Sequence, residues 1–214
     1  MKVVIDSSHK LLFTGVLSGH TQDMDEFCDK FQNICKENGI SHRYHWNELA
    51  RKKRDLLKKP MLAALQEARG IRLNIIQHRK PANVDRKGWY LYHVPAMIAQ
   101  RMESWLRNKN GELEILVDND YNVMRGGFGT GHFIETLARQ IAIRLTGRET
   151  TVRKNGHFRA EIKQPNGGNL LIFASVAQKD SKWVGLVDAY LGLYVYDGTI
   201  LNGLDNVYYT RNKK

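Results

Sequence analysis

Residues 1–20 read MKVVIDSSHKLLFTGVLSGH: an apolar run that stops on Asp6, a polar step through Ser7, Ser8 and His9, and a second apolar run. Two short apolar runs joined by turn-forming residues read as a β-hairpin. Asp6 then ends the first strand, either as a turn residue or as a carboxylate displayed from a sheet where a metal can reach it. Three further acids bear on that choice.

The 214 residues are enough for one large domain or two small ones, with a sizeable core. At 42% hydrophobic and 26% charged the chain is of globular type, and no apolar stretch approaches the roughly 20 residues that span a bilayer. The opening MKVVID is charged too soon for a secretory signal, so the expectation is a cytoplasmic protein with no membrane partner. Cys28 and Cys35 share one helical face with Phe27, Phe31 and Ile34. Two helical turns put roughly 10.5 Å of rise between them, too far for a disulfide, so they read as reduced core packing.

Charge says more about partners. Thirty-three Lys and Arg against 22 acids give a formal net charge of +11, which points to nucleic acid ahead of anionic membrane or acidic protein. Between residues 43 and 59 seven basic residues face only Glu48 and Asp55, with Arg51, Lys52, Lys53 and Arg54 in an unbroken row. A solvated helix face is the plainer use of such a run; a phosphate-binding face is the functional one.

Strand-like runs lie at residues 3–6, 11–17, 41–46, 71–78, 113–117, 157–163 and 170–176. Helical periodicity covers 25–36, 47–68, 94–107, 133–145 and 183–194, with Pro60 expected to kink or restart the second and Pro95 suited to a first helical position. An early hairpin followed by mixed strands and helices predicts one α/β domain over residues 1–214, with a mixed sheet rather than a doubly wound parallel one.

Asp118 ends another apolar run, in ELEILVDNDYNV, and should emerge at a strand's carboxyl end, where ligands of open α/β sheets gather; Asp120 follows two residues on. Asp188 lies in the largely apolar helix of SKWVGLVDAYLGLYVYDG, where an ionised carboxylate is costly without a partner or a metal. Glu48 stands in YHWNELARKKR, where a strand is expected to give way to the basic helix. Individually these acids also suit turns, caps, an arginine pair or an exposed helix position.

The histidines show no H-x-E or H-E-x-x-H spacing and the cysteines no zinc pattern. His42 and His45, three apart on an expected strand, fall on opposite faces. MRGGFGTGHF places Arg125 and four glycines before a helix, either a connector or a backbone cradle for a substrate phosphate, with His132 following. The Asp-x-Asp of residues 118–120 has some likeness to aspartyl-phosphate phosphatases, but it comes mid-chain and Tyr121 follows it.

An acid after the first strand, one after a middle strand and one on the last helix resembles the ribonuclease H-like superfamily, which includes retroviral integrases and Holliday-junction resolvases. Within it the chain is similar to a prokaryotic branch that opens with Asp-Glu-Ser-Gly before a hairpin and ends in a segment like LQLADLVAG. Here those segments read IDSSHKLLFTGVL and VGLVDAYLGLY. Between them YHWNELARKKRDLLKKPMLAAL resembles the branch's strand, acid-bearing motif and helix, and ILVDNDYNV resembles the Asp-bearing strand of ribonuclease H. Ser7 and His9 stand where the branch has Glu and Gly, so Asp120 or Glu48 would make up the carboxylate count.

The resemblance implies a ribonuclease H-like α/β fold and a nuclease that hydrolyses phosphodiester bonds of DNA or RNA with Mg²⁺ or Mn²⁺. Its chemistry uses two metals roughly 3.5–4 Å apart. Asp6 would bridge them, Asp118 and Asp188 would complete their shells, Asp120 would add a ligand and Glu48 would take part in catalysis. Arg51, Lys52, Lys53, Arg54 and Arg125 would hold the nucleic acid. The alternative is a non-catalytic, basic nucleic-acid-binding protein on the same fold, which the loss of the signature Glu suggests.

Overall fold

The structure is a computed structural model. It describes residues 1–8, 13–40, 45–78, 89–118, 129–148, 153–155, 157–177, 181–198, 204 and 206–211. In chain order the first elements are β1 (Lys2–Ser8), β2 (Phe13–Gly19), α1 (Thr21–Glu37), a 3₁₀ turn (Trp46–Glu48), α2 (Arg51–Glu67) and β3 (Arg72–Gln77). A π turn (Trp89–His93), α3 (Val94–Leu106), β4 (Gly111–Val117), α4 (Thr130–Thr146), β5 (Arg153–Asn155) and β6 (His157–Lys163) follow. Then come β7 (Asn169–Val176), α5 (Lys182–Val195) and β8 (Val207–Arg211). The expected α/β architecture is present, arranged as two compact units: Met1 with residues 80–177, and residues 2–79 with 178–214.

In the second unit β2 pairs antiparallel with both β1 and β3, and β8 adds to β3 in parallel. Val3, Val4 and Ile5 are fully buried, which explains an apolar run without alternation: both faces of the strand are covered. Asp6 pairs directly with Gly15. A Cβ on Gly15 would lie 2.8 Å from both Leu191 Cγ and Val187 Cγ1, so glycine lets α5 lie against β2 at this point. Helix α1 turns Met24, Phe27, Cys28, Phe31, Ile34 and Cys35 inward, the face its 3.6-residue period marks out. The Tyr190 ring stacks on Phe27 at 5.6 Å between centroids, and its hydroxyl donates to the Met61 carbonyl at 2.8 Å. One α5 side chain thereby ties α1 and α2 together.

The first unit also has a mixed sheet: β6 is antiparallel to β5 and β7, and β7 is parallel to β4. Its helix α4 buries Phe133, Leu137, Ile141 and Ala142 and ends on Gly147 in the left-handed region (φ 72°), the usual glycine cap. Gln164 anchors the turn between β6 and β7: its carboxamide accepts from the Asn108 N–H at 2.9 Å and donates to the Lys109 carbonyl at 3.2 Å.

Three sequence expectations need correction. Strand β1 runs on to Ser8, because Ser7 and Ser8 pair with Thr14 and Phe13, so Asp6 lies within the strand and does not end it. Residues 41–44 of the expected 41–46 strand lie outside the described residues, and Trp46 opens a 3₁₀ turn instead of ending a strand. Pro60 lies inside α2 without restarting it; the helix begins at Arg51, after the separate turn that carries Glu48. The short β5, the late β8 and the π turn carried no expectation from sequence. Among the described residues no helix is long and apolar enough to cross a membrane.

Gly15→Val should lower stability by roughly 1–3 kcal/mol, because the added carbons must displace Val187 and Leu191. A urea-unfolding midpoint equal to that of the parent chain would show that α5 is not seated on β2.

Candidate functional site

The face of each strand residue decides which groups can act together. Gly15 faces α5, and directly opposed residues of an antiparallel pair point to the same face, so Asp6 also faces the α5 layer. Lys2, four residues earlier on β1, agrees: it lies 4.1 Å from the Trp183 ring centroid of α5 and 3.6 Å from Asp25 of α1. Asp6 is 2% exposed, and its Oδ1 accepts the Ser7 N–H at 2.7 Å.

Asp188 follows Val187 on α5 and lies one turn before Gly192. Its Oδ2 accepts the Trp46 backbone N–H at 2.6 Å and lies 3.8 Å from His45 Nδ1. A backbone amide and an imidazole thus lie against this carboxylate. Trp46 is buried against Gly192, where a Cβ would come within 2.1 Å of its Cγ, and its indole N–H donates to Asp197 Oδ2 at 2.8 Å. Glu48 closes this turn, is exposed, and has no hydrogen bond or ion pair from its carboxylate among the described residues. Asp188 thus positions the turn that presents Glu48.

Ser7 points away from Asp6 because successive strand residues alternate. Its hydroxyl lies 2.9 Å from Thr14 Oγ1, which lies 2.8 Å from His78 Nε2. These three buried groups form a polar line on the face opposite α5. Burial pushes the His78 imidazole down to about 4.

In the other unit, Asp118 is buried directly after β4, as expected for an acid at a strand's carboxyl end. Asp120, Arg125 and residues 126–128 of the glycine loop lie outside the described residues. Gly129 precedes the first residue of α4, and His132 Nε2 lies 3.3 Å from the Tyr92 hydroxyl.

The basic run divides by partner. Arg54 pairs with Asp197 at 3.1 Å and is one-fifth exposed, so its charge is neutralised within the protein. Arg51 lies 4.0 Å from Asp55, which Lys58 approaches at 2.7 Å. Lys52, Lys53 and Lys59 are exposed and without an ion pair among the described residues. Cys28 and Cys35 are unbridged and buried, and burial pushes their thiols up to about 12 and about 11, which suits packing and not nucleophilic chemistry.

Among the described residues no group of three or more His, Cys, Asp or Glu is close enough to hold a metal ion. Mg²⁺ does not require such a cage, since it keeps several waters and is commonly held by one or two carboxylates plus substrate phosphates. Asp6 and Asp188 supply hard oxygens in the same unit, so their donor chemistry fits such an ion. Trp46, Asp197 and His78 escaped the sequence reading: their roles come from partners distant in the chain, and only the WNE–basic-helix junction hinted at Trp46.

His78 sets a pH dependence. Its ordinary value of 6.5 falls to about 4 in the fold, so between those limits the unfolded chain binds a proton that the folded chain resists. Stability therefore decreases as pH falls from 6.5 towards 4, by on the order of 3 kcal/mol at the limit, and the penalty is absent above 6.5. His78→Asn should flatten this part of the profile in urea unfolding at several pH values; an unchanged profile would remove His78 as its source. The chain matches no protein-family model, no curated protein and no solved structure.

Proposed function

We propose that this chain is a divalent-metal-dependent nuclease with a ribonuclease H-like α/β fold, acting on DNA or RNA. The observation that carries the reading is the placement of Asp6: a buried carboxylate within the first strand, paired with Gly15 and facing the helix that bears Asp188. The Asp6 Oδ1 accepts the Ser7 N–H, and a carboxylate oxygen is the hard donor that a divalent cation takes. Asp6 and Asp188 would hold Mg²⁺ or Mn²⁺, which when bound polarises a phosphoryl oxygen and lowers the pKa of a coordinated water. Asp188 also fixes the Trp46 turn, and the exposed Glu48 on that turn is available to accept a proton from attacking water. Lys52, Lys53 and Lys59 would bind substrate phosphates without first breaking an ion pair. Asp118 keeps its expected role as a ligand only through the family resemblance, and Asp118→Asn tests it separately.

Ser7 bears on activity. Its position faces away from Asp6, so replacing the signature Glu there does not subtract a carboxylate from the Asp6 face. The second reading, a non-catalytic nucleic-acid-binding protein, is favoured by the Asp188–Trp46 bond, which gives that carboxylate a structural use without metal.

Asp6→Asn should abolish Mn²⁺-dependent cleavage and reduce the rise in melting temperature on adding Mn²⁺, without lowering the metal-free melting temperature. An equally active variant would contradict the nuclease reading. No cleavage by either protein, with nucleic-acid binding intact, would establish the second. Replacing Lys52, Lys53 and Lys59 together by Ala should flatten the log–log salt slope of binding by roughly 2–3, near one per phosphate contact. A parent protein whose affinity is independent of salt would exclude the basic face.

A further inference from the structure

A cleft of about 450 Å³ opens in the second unit between the end of α2 and the β3–β8 edge, lined by Arg69, Gly70, Arg72, Leu204, Asn206 and Tyr208 among others. Its size lies within the roughly 300–1,000 Å³ of small-molecule sites. Arg69 and Arg72 are exposed and have no acidic partner among the described residues. Tyr208 is a large exposed ring, at 43%.

Strand geometry brings these groups together. Tyr208 pairs with Asn74 across the parallel β3–β8 ladder, and Arg72, two residues before Asn74, projects from the same face. Arg72 and Tyr208 are therefore offset by about 7 Å of strand rise, the scale on which one nucleotide separates its phosphate from its base. A plainer duty for these arginines would be to cap the carbonyls at the end of α2. That duty is already filled: the Asn206 side-chain amide donates to the Leu65 carbonyl at 2.7 Å and the Ala68 carbonyl at 3.3 Å.

We propose that this cleft binds a single nucleotide, with Arg69 and Arg72 on its phosphate and its base against Tyr208. Guanidinium groups match phosphate oxygens with paired N–H donors, and a tyrosine face stacks on any base. The inference rests on the nucleic-acid reading only for the source of the nucleotide, which is either a free mononucleotide or a unit of a single strand. The cleft would act as a binding subsite and need not contain the cleavage chemistry.

Titration calorimetry with 5′-adenosine monophosphate tests it on the full chain. The wild type should bind this probe more tightly than inorganic phosphate or adenosine. Arg69→Gln with Arg72→Gln should weaken binding by about tenfold or more, the loss of charge-assisted hydrogen bonds. Tyr208→Ala should weaken it roughly fivefold or more and Tyr208→Phe should restore it, as stacking requires. These side chains are exposed, so melting temperatures should stay at the parental value. Displacement of the probe by a short single-stranded oligonucleotide assigns the cleft to a strand, and failure to displace it assigns the cleft to free nucleotide; both support the site. No binding by wild type, or equal binding by the variants, overturns it. Intact probe binding in a protein that cleaves nothing would count against the nuclease reading and leave the cleft standing.

Discussion

The seating of Trp46 on Gly192 constrains the rest of the second unit. No side chain other than hydrogen fits at position 192, since a Cβ would approach Trp46 Cγ to 2.1 Å. With the ring in that seat, the backbone N–H of Trp46 reaches Asp188 and its indole N–H reaches Asp197. Asp197 in turn holds Arg54 in the first turn of α2. One buried residue thus connects the end of α5, the turn bearing Glu48 and the start of the basic helix. Loss of the ring would release a carboxylate, a turn and an arginine together, and the energies of such linked groups do not add simply.

The division of β1 between two faces has an equal effect on chemistry. Asp6 points to the α5 layer because it opposes Gly15, whereas Ser7 turns to the Thr14–His78 line. A change at position 7 therefore acts on the buried polar line and not on the proposed metal face. The same alternation separates the His78 titration from the carboxylate chemistry, so acid sensitivity of the fold and loss of hydrolysis have different physical sources.

Much of the architecture was legible from period alone. The 3.6-residue spacing of Phe27, Cys28, Phe31, Ile34 and Cys35 marks the face that α1 buries, and the unbroken Val3–Val4–Ile5 run marks a strand covered on both sides. Residues 41–46 misled at Trp46, because β-propensity is a local quantity and the Trp46 seat depends on a glycine far along the chain. Of the two outcomes expected at Pro60, the restart does not occur: a proline costs a helix one hydrogen bond, and buried Leu57, Met61, Ala64 and Leu65 hold α2 together on either side of it. Of the candidate site, Asp6, Glu48 and Asp188 could be named from their positions at the ends of, or within, apolar elements. The bonds giving Asp188 and Arg54 their structural partners could not, since nothing local announces Trp46 or Asp197 as those partners. The lysines most available to phosphate emerged only when Asp55 and Asp197 were seen to claim their neighbours.

The central claim is that the Asp6 face is a divalent-metal site. The most direct measurement is anomalous diffraction from crystals of the chain soaked in Mn²⁺. The account predicts a Mn²⁺ peak with Asp6 and Asp188 among its oxygen ligands, and loss of that peak in Asp6→Asn crystals. An occupied surface site elsewhere with none at Asp6, or a peak at Asp6 that persists undiminished in the variant, would contradict it.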